Sequence, residues 1–492
     1  MSGKTRAALA ATLLATPLIP SAAYASPTSL DHGFSGDGLL TIHSAAHSEF
    51  LAAMQVLPNG KTMLVTGTLA EPALEIWRLR KNGSPDPTFG GGDGVYPFLL
   101  AANYEDIALA VDTRTGKSYV STFIDGGVSP TSVWRIKADG TLDTAYGGSG
   151  TGHVTFNERL VNGLLALPGG KLLMAGDDFS GHDTAVWRLT NTGALDSSFA
   201  DGGTRVLSTN ENDEASSLAR LSDGRIAVAG THYNMTASKL LTYRLKKNGA
   251  YDHSFSQNGK AVVDPGGTAF TTSSLFTPQV LVRPDDRTVY VAGLNSSAGT
   301  VLWTAGLTVR GTRDKTFGRH AYPGAMERWG QAALQRDGKL VVTGTLPPDP
   351  STQGGVYRIT TRGTLDRTWS GDGILPLSGA SDTITVGIQP QGRILVGRTV
   401  GNGPYDVQLR ALHGTRTPTC HGKLATQFGT AKGDQITGTS GNDVLVGLAG
   451  KDVLKGLAGN DTLCGNGGND TLVGGPGKDV LLGGPGKNTL KP

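Results

Sequence analysis

Residues 168–199 have the sequence PGGKLLMAGDDFSGHDTAVWRLTNTGALDSSF. The pattern within this stretch recurs along most of the chain and predicts its fold. It ends in an acidic turn followed by an aromatic residue, here Asp196 and Phe199. The same motif occurs seven times, as Asp31 with Phe34, Asp86 with Phe89, Asp143 with Tyr146, Asp196 with Phe199, Asp252 with Phe255, Asp314 with Phe317 and Asp366 with Trp369. Successive aspartates are 52 to 62 residues apart, which indicates a protein built from repeated structural units.

Each repeat contains four short apolar stretches joined by turns. Three of them in the first repeat are Leu39 to Ile42, Phe50 to Val56 and Met63 to Gly67, with the turn Asn59-Gly60-Lys61 before the third. Asn-Gly favours a tight hairpin because both residues tolerate positive φ. The fourth stretch carries an aromatic–arginine pair in five repeats: Trp77-Arg78, Trp134-Arg135, Trp187-Arg188, Tyr243-Arg244 and Tyr357-Arg358. Four antiparallel strands per repeat of roughly fifty residues predict the blade of a β-propeller.

The two ends of the repeated region predict how the ring closes. Leu39 to His43 precedes the first full set of the other three strands, and the last set, Thr383 to His413, has no such strand after it. We therefore expect Leu39 to His43 to form the outer strand of the last blade, which gives seven blades and no free edge at the seam. The repeated aromatic residues are expected to pack between neighbouring blades, and the aspartates to accept backbone N–H bonds within their turns.

These repeats resemble the delta-60 repeat family of predicted β-propellers. The resemblance rests on the Leu-Asp-x-x-Phe turn, the Asp/Asn-Gly-Lys hairpin and the aromatic–Arg–Leu strand, and it covers about residues 30 to 416. It implies a propeller fold, and it implies no single activity.

A second repeat begins at Gly429, from which the chain counts in nines. Each nonapeptide starts with Gly and has Ile or Leu at its eighth position. The sixth positions are Asp434, Asp443, Asp452, Asp461, Asp470, Asp479 and finally Asn488. This pattern closely resembles the RTX, or haemolysin-type calcium-binding, nonapeptide, which implies a parallel β-roll with two nonapeptides per turn. The fold class predicted for the whole chain is therefore all-β, a seven-bladed β-propeller followed by a parallel β-roll of RTX repeats.

The resemblance implies that Ca²⁺ is the cofactor. Aspartates eighteen residues apart would stack, and the ion would lie between them with turn carbonyl oxygens as further ligands. Four pairs are Asp with Asp, namely 434 with 452, 452 with 470, 443 with 461, and 461 with 479, and a weaker fifth is Asp470 with Asn488. The alternative is a metal-free structural coil, in which the stacked carboxylates would repel one another.

Several positions depart from the family pattern. The second glycine is replaced by Thr430, Thr439, Leu448, Leu457 and Asn466. Lys432 replaces the fourth glycine of the first copy, and Lys451, Lys478 and Lys487 stand beside the sixth position. These cations would weaken calcium affinity or contact a neighbouring carboxylate, and the first and last copies are expected to be caps rather than good sites.

The N-terminus predicts export. Lys4 and Arg6 precede an apolar stretch, Ala7 to Ile19, and Ala23-Tyr24-Ala25 is a cleavage motif, which together indicate a signal peptide over residues 1–25. The alternative, a membrane anchor, needs about 20 apolar residues, and this stretch is shorter. We expect residues 26–416 to form the propeller and residues 417–492 the calcium-binding roll of a secreted, extracellular protein with no membrane span.

The two cysteines, Cys420 and Cys464, lie beside and within the nonapeptide region. An even number in an exported chain permits one disulfide, which would pin the segment before the roll onto its fourth copy. Two separate thiols are the alternative.

An acidic residue precedes the hairpin-forming strand in six of the seven repeats: Glu49, Glu105, Glu158, Glu214, Glu327 and Asp382. If those strands are innermost, the carboxylates would ring one mouth of the central channel and bind a cation, a basic peptide or a polyhydroxy ligand. The alternative is six solvated turn residues, which recur because the blade recurs.

Composition and motifs narrow the function classes. The net charge is +3 and no block of Lys or Arg stands out, so a nucleic-acid partner is not indicated. The chain contains no G-x-S-x-G, H-E-x-x-H or phosphate-loop motif. These observations favour a non-enzymatic binding protein whose partners are calcium and an unknown extracellular protein or polysaccharide. The alternatives are a secreted hydrolase or lyase that acts on polymers at the channel mouth, and a structural component of the cell envelope.

Overall fold

The structure, a computed structural model, describes residues 30–42, 48–68, 73–99, 105–123, 130–157, 159–178, 183–208, 213–232, 239–256, 258–263, 271–272, 278–296, 299–325, 330–346, 354–377, 384–401, 405–415 and 417–492. These residues form strands and turns, and none of them belongs to a helix that could cross a membrane. The predicted signal peptide, residues 1–25, lies outside the described residues.

Seven antiparallel sheets follow one another along the chain as seven blades. A short strand, β1 (Leu39–Ile42), precedes them. Blade 1 contains β2 (Glu49–Val56), β3 (Thr62–Thr68), β4 (Ala73–Leu79) and β5 (Val95–Leu99). Blade 2 contains β6 (Glu105–Val111), β7 (Ser118–Phe123), β8 (Thr131–Ile136) and β9 (His153–Phe156). Blade 3 contains β10 (Arg159–Leu167), β11 (Lys171–Asp178), β12 (Asp183–Leu189) and β13 (Thr204–Ser208).

The remaining four blades repeat this order. Blade 4 contains β14 (Asp213–Arg220), β15 (Ile226–His232), β16 (Lys239–Leu245) and β17 (Lys260–Val263). Blade 5 contains β18 (Thr271–Thr272) and β19 (Gln279–Val282), which both pair with β20 (Thr288–Ser296), and then β21 (Gly299–Leu307) and β22 (Arg319–Ala325). Blade 6 contains β23 (Ala332–Leu334), β24 (Leu340–Thr345), β25 (Gly354–Ile359) and β26 (Ile374–Leu377). Blade 7 contains β27 (Ile384–Ile388), β28 (Ile394–Val400) and β29 (Asp406–Leu412).

The ring closes as the sequence predicted. Strand β1 pairs antiparallel with β29, with Leu39 opposite Arg410 and Ile42 opposite Val407, and so supplies the outer strand of blade 7. The innermost strands β2, β6, β10, β14, β19, β23 and β27 contact one another from blade to blade, and β27 contacts β2. The prediction of a seven-bladed propeller is therefore confirmed.

The repeated aromatic residues pack between blades. Phe34, Tyr146, Phe199 and Phe255 are all fully buried. A methyl group placed on Gly249, in the next blade, would lie 2.8 Å from the Phe199 ring, so the turn glycine leaves room for the aromatic ring. Each ring thus fills the space between two neighbouring blades and removes apolar surface from water.

The seven repeated aspartates, which we call the aspartate ring, are Asp31, Asp86, Asp143, Asp196, Asp252, Asp314 and Asp366. In Asp196, Oδ1 accepts the backbone N–H of Ser198 at 3.1 Å, as the turn prediction required. Its Oδ2 accepts bonds from Arg188 Nε at 2.8 Å and Lys171 Nζ at 2.7 Å. This second role was not predicted from the sequence.

The paired arginine also ties one blade to the next. Arg188 Nη1 donates to the carbonyl oxygen of Lys247 in blade 4 at 2.6 Å, and its guanidinium carbon lies 4.6 Å from the centre of the Phe199 ring. A cation over an aromatic face is an attractive arrangement. One arginine therefore links the turn, the aromatic ring and the neighbouring blade.

Two blades lack this arginine, and another residue replaces it. Gly306 and Ala411 occupy its place in blades 5 and 7, as their backbone bonds to Asp314 and Asp31 show. Arg283 and Arg393, from hairpin turns, reach the next blade instead and donate to the carbonyl oxygens of Thr361 at 3.5 Å and Lys81 at 2.7 Å. The interaction between blades is therefore retained in blades 5 and 7, although the arginine that makes it comes from a different position.

The C-terminal region is a roll of two parallel sheets. The first contains β32 (Gln427–Phe428), β34 (Val444–Ala449), β36 (Thr462–Gly467) and β38 (Val480–Leu482). The second contains β33 (Gln435–Thr437), β35 (Val453–Lys455), β37 (Thr471–Val473) and β39 (Thr489–Lys491). Residues eighteen apart pair across turns, for example Leu445 with Leu463 and Leu463 with Leu481. The prediction of a parallel β-roll is confirmed.

A short hairpin, β30 (Thr419–Cys420) and β31 (Lys423–Leu424), leads into the roll, and a disulfide joins Cys420 to Cys464 on β36. The roll contacts the propeller through the turns between the first and second strands of blades 5, 6 and 7. Arg336 Nη1 donates to the Ala425 carbonyl oxygen at 2.6 Å, and Gln427 Nε2 donates to the Pro284 carbonyl oxygen at 3.3 Å. We call this side of the propeller the hairpin-turn face.

Candidate calcium sites in the roll

The stacked aspartates form a hydrogen-bonded ladder. In each column the backbone N–H of one aspartate donates to Oδ1 of the residue eighteen positions later. The bonds run from Asp434 to Asp452 (2.8 Å), Asp443 to Asp461 (2.8 Å), Asp452 to Asp470 (2.9 Å), Asp461 to Asp479 (2.8 Å) and Asp470 to Asn488 (2.8 Å). One carboxylate oxygen of each acceptor is thus fixed by the backbone of the preceding turn, which leaves the other oxygen to be accounted for.

The second oxygen has no hydrogen-bond partner in three of the turns. Asp452, Asp461 and Asp470 are at most 1% exposed, and Oδ2 of each is buried without a partner. A methyl group placed on Gly447 would overlap Asp452 Oδ2 and would lie 2.8 Å from the Gly465 carbonyl oxygen. The first glycine of the nonapeptide therefore keeps open a space that a carboxylate oxygen and a carbonyl oxygen of the next turn both border.

The chemistry of this space fits a calcium ion. Carboxylate and carbonyl oxygens are the hard ligands that Ca²⁺ prefers, and a buried unpaired carboxylate is costly without a cation. Burial, together with the charges of the neighbouring aspartates in the column, raises the pKa of Asp452 and of Asp461. A bound divalent cation would remove the repulsion that raises these pKa values. Asp452, Asp461 and Asp470 are the residues best placed to hold it.

The two ends of the roll differ from its middle. In the first two turns Oδ2 of Asp434 and of Asp443 accepts bonds from Thr430 and Thr439. In the last turn Asn488 Nδ2 donates to the Gly484 carbonyl oxygen at 2.8 Å. Asp479 is half-buried, and the three atoms nearest to a methyl group placed on Gly474 all belong to Asp479 itself.

The lysines beside the sixth position do not enter the column. Lys451, Lys478 and Lys487 are exposed, and none of them pairs with a carboxylate among the described residues. The described residues also contain no cluster of three or more His, Cys, Asp and Glu side chains that could hold a metal ion. A cation site in the roll therefore depends on backbone oxygens as well as on carboxylates.

The central channel of the propeller encloses a cavity of about 260 Å³. Ala53, Leu109 and neighbouring apolar residues line it on the side of blades 1 and 2. On the other side the inner strands form polar contacts across blades. Ser216 Oγ donates to the Pro278 carbonyl oxygen at 2.6 Å, and Gln279 Oε1 accepts the Ala332 N–H at 2.8 Å.

Two of the six side chains of the predicted acidic ring, those of Glu49 and Glu214, lie within the described residues. Glu49 begins β2 and is 3% exposed, and Glu214 lies half-buried on β14, where it accepts a bond from Asn162 Nδ2 at 3.2 Å. Glu105 begins β6, but its side chain lies outside the described residues, as do Glu158, Glu327 and Asp382. The described carboxylates are at the channel end opposite the hairpin-turn face, because the inner strands begin there.

A further carboxylate at this mouth, Asp177, was not predicted from the sequence. Asp177 lies near the end of β11, and burial together with the charge of Glu214 raises its pKa to about 8. Burial and the charge of Asp106 likewise raise the pKa of Glu214. Asp177 does not recur at the repeat period, so the sequence contained no signal for it.

The geometry defines the class of protein as a β-propeller joined to a parallel β-roll with a stacked carboxylate column. Comparisons with known families agree with this class. Residues 57–89, 167–199, 221–255 and 335–368 match the DUF5122 β-propeller, a domain of unknown function. Residues 428–463 and 462–490 match the RTX calcium-binding nonapeptide repeat. The matched segments lie in the propeller and in the roll, so the family-model matches agree with a seven-bladed propeller followed by calcium-binding repeats.

Comparisons with individual proteins found only distant similarities. No curated protein matches significantly. Among solved structures, a regucalcin from Agrobacterium tumefaciens, a calcium-binding protein, is 13% identical over 64% of this chain and 92% of its own, with a TM-score of 0.34. The propeller domain of the Trilobed protease from Pyrococcus furiosus is 11% identical over 77% and 97%, with a TM-score of 0.42. Drosophila Semaphorin 2a is 8% identical over 76% and 75%, with a TM-score of 0.44.

Proposed function

We propose that this is a secreted calcium-binding protein of the extracellular space, in which calcium folds the roll and the propeller is a non-enzymatic binding platform. The proposed parts are a signal peptide over residues 1–25, a propeller over 26–416 and a calcium-binding roll over 417–492. RTX repeats are typical of secreted proteins, which supports the extracellular assignment. The partner of the platform is an extracellular protein or polysaccharide.

One observation carries the calcium-binding part of the proposal. Asp452, Asp461 and Asp470 each hold a buried carboxylate oxygen that has no partner. Without a cation, three such groups in a narrow roll oppose folding. With calcium present, binding to the folded roll alone would stabilise it by mass action. Calcium outside the cell would then act as the signal for the roll to fold.

The position of the roll supports the platform. The roll is bound to the hairpin-turn face, through Arg336 and Pro284. The opposite face, on which the inner strands begin, remains the broad surface of the propeller for a partner. Binding residues are often carried on loops that a rigid scaffold positions, and the seven blades provide such a scaffold.

A calcium titration tests the proposal. Residues 26–492 are titrated by calorimetry, with far-UV circular dichroism in parallel, and we expect saturable binding with a gain of β-structure. The variant Asp452→Asn/Asp461→Asn/Asp470→Asn is the matched control, and it should lose that response. Absence of saturable binding by the unmodified chain would overturn the proposal. Export is tested separately, since the released protein should begin at Ser26.

A second candidate function is cleavage of a polymer at the channel mouth, by a hydrolase or by a lyase reaction. The observation that favours it is the pair Asp177 and Glu214, because two carboxylates with raised pKa values near a cavity are typical of acid–base sites. A screen on polysaccharide and ester substrates tests it. Turnover should be abolished by Asp177→Asn and by Glu214→Gln. The control is Asp201→Asn, because Asp201 is exposed and lies in the same blade as Asp177, and this variant should keep any turnover.

A further inference from the structure

The first two turns of the roll are built differently from those that follow. We propose that Thr430 and Thr439 close these turns in place of calcium, so that calcium binding is confined to three sites, at Asp452, Asp461 and Asp470. This inference rests on the proposed calcium-binding function and assigns which turns perform it. It differs from the expectation of four Asp–Asp sites and a weaker fifth, which the sequence pattern alone suggested.

The contacts of Thr430 carry the argument in the first turn. Its backbone N–H donates to Asp434 Oδ2 at 2.6 Å, and its hydroxyl donates to the same oxygen at 2.9 Å. Two donors therefore point at the oxygen that stays open in later turns. A carboxylate that accepts an N–H and an O–H is stabilised as an anion without a metal ion. The same donors present positive charge where a cation would otherwise lie.

The second turn is closed more completely. Thr439 donates to Asp443 Oδ2 through its N–H at 2.7 Å and its hydroxyl at 2.9 Å. Thr426 Oγ1 lies 3.1 Å from Asp443 Oδ1 and donates to it. Both oxygens of this carboxylate are satisfied by the chain itself.

The backbone explains why only these two turns close. The second residue of the next three turns is left-handed, with φ of 79° at Leu448, 76° at Leu457 and 65° at Asn466. Thr430 and Thr439 do not have positive φ. Threonine is branched at Cβ and avoids the left-handed region, so it holds the turn in the conformation that directs its N–H and hydroxyl at the aspartate. In the left-handed turns Oδ2 of Asp452, Asp461 and Asp470 receives no hydrogen bond.

The two closed turns also directly follow the segment by which the roll is attached to the propeller. Arg336 and Pro284 of the propeller contact Ala425 and Gln427, immediately before the first turn. The first two turns would therefore persist without calcium and form a base on which the calcium-dependent turns stack.

Calorimetric stoichiometry on residues 26–492 tests this assignment. We expect three calcium ions per chain. Asp434→Asn/Asp443→Asn should leave three, whereas Asp452→Asn should bind fewer. Thr430→Gly/Thr439→Gly restores the glycine of the repeat pattern and should raise the number above three, up to five. Leu448→Gly/Leu457→Gly makes the same change in turns that are already open, and it should still bind three.

A second measurement does not depend on stoichiometry. In excess chelator, hydrogen exchange of residues 429–446 should remain slow while residues 447–491 exchange rapidly. Thr430→Val/Thr439→Val, which removes only the hydroxyls, should speed exchange in the first segment. Binding of five ions by the unmodified chain, three by the Thr→Gly variant, or equal exchange in both segments would overturn the inference and leave the proposed function standing. Absence of binding in every variant would overturn both.

Discussion

The propeller and the roll each repeat an aspartate at a fixed interval, but they balance its charge in different ways. Every member of the aspartate ring lies within 3.3 Å of a lysine or arginine nitrogen, and the distance is 2.7 Å at both Asp31–Arg393 and Asp196–Lys171. In the roll, no aspartate of the column forms an ion pair within the described residues. The propeller carries its own cations, whereas the roll, on our proposal, takes calcium from the surroundings.

Because of this difference, we expect the two repeats in one chain to respond differently to calcium in their environment. A buried ion pair formed within the chain is present whenever the chain is folded. A carboxylate that faces an open oxygen-lined space is satisfied only where calcium is present at sufficient concentration. The propeller should therefore be indifferent to calcium, and the roll should depend on it.

Removal of calcium should have the largest effect. At a calcium concentration one hundred times the dissociation constant, each site contributes about 2.7 kcal/mol to folding. Chelation should therefore unfold most of the roll and leave the propeller folded. All six tryptophans precede residue 417, so tryptophan fluorescence reports on the propeller alone, while far-UV circular dichroism reports on both regions. A single transition with the same calcium dependence in both signals would contradict the contrast.

Loss of the disulfide should be the next largest effect, and it should be confined to the roll. The bridge joins cysteines 44 residues apart, and a loop of that length corresponds to about 4 kcal/mol in the chain-entropy description. Cys420→Ser/Cys464→Ser should lower the urea midpoint of the dichroism signal in calcium, and the fluorescence midpoint should not change. Reduction of the unmodified protein with a thiol is the control, and it should reproduce the shift.

Neutralising one aspartate of the ring should destabilise the propeller. Asp196→Asn removes the charged acceptor of Arg188, whose side chain is 9% exposed, and should cost about 3 kcal/mol because an unpaired charge stays buried. Urea unfolding followed by fluorescence measures it. Asp314→Asn is the matched control, since Arg287 and Arg283 lie farther away, at 3.3 and 3.9 Å, and its cost should be smaller.

The same substitution in the roll sharpens the contrast, because its sign should depend on calcium. Asp452→Asn removes one charge from a column of like charges, so it should stabilise the roll in chelator. It should destabilise the roll in calcium, because a ligand is lost. Destabilisation under both conditions would mean that Oδ2 of Asp452 has a structural partner and is not open to a cation.

The fold could be predicted from the sequence because the repeats follow one another closely along the chain and each copy carries nearly all of the motif. The position of β1 in blade 7 could be predicted from the two ends of the repeated region. The last set of strands lacks an outer strand, and an extra strand of that type precedes the first set. The pairing of Arg188 with Asp196 was missed, although arginine precedes aspartate by eight residues in five repeats. That spacing becomes a contact only through the bridge that joins Leu189 to Leu195, which sequence alone does not reveal.

The sites were less predictable, for physical reasons that differ between the two regions. The aspartate column follows from the period of nine, but the closure by Thr430 depends on one backbone angle. Asp177 became visible only when β10, β11 and β14 were placed side by side. The roles of Glu105, Glu158, Glu327 and Asp382 remain predictions from the sequence.

Acid should produce the smallest change at any one residue, and its direction follows from the pKa shifts. Hydrogen bonds and charges from lysine and arginine outweigh burial and lower the pKa of Asp86, Asp143, Asp196 and Asp366 below the ordinary value. A carboxyl whose folded pKa is lowered stabilises the fold above the unfolded pKa, about 3.9, and loses that contribution as the pH falls through the folded value.

The urea midpoint of the tryptophan signal should therefore fall below about pH 4. Between about pH 7 and pH 5 it should rise as the pH is lowered, because Asp177, whose folded pKa is about 8, binds a proton there only in the folded state. Asp196→Asn should show a lower midpoint with a shallower fall, because one of the titrating groups is gone. Measurement in chelator removes the roll from the comparison. An equally steep fall in the variant would mean that the aspartate ring does not control the acid sensitivity of the propeller, and that its ion pairs contribute little beyond the aromatic contacts between blades.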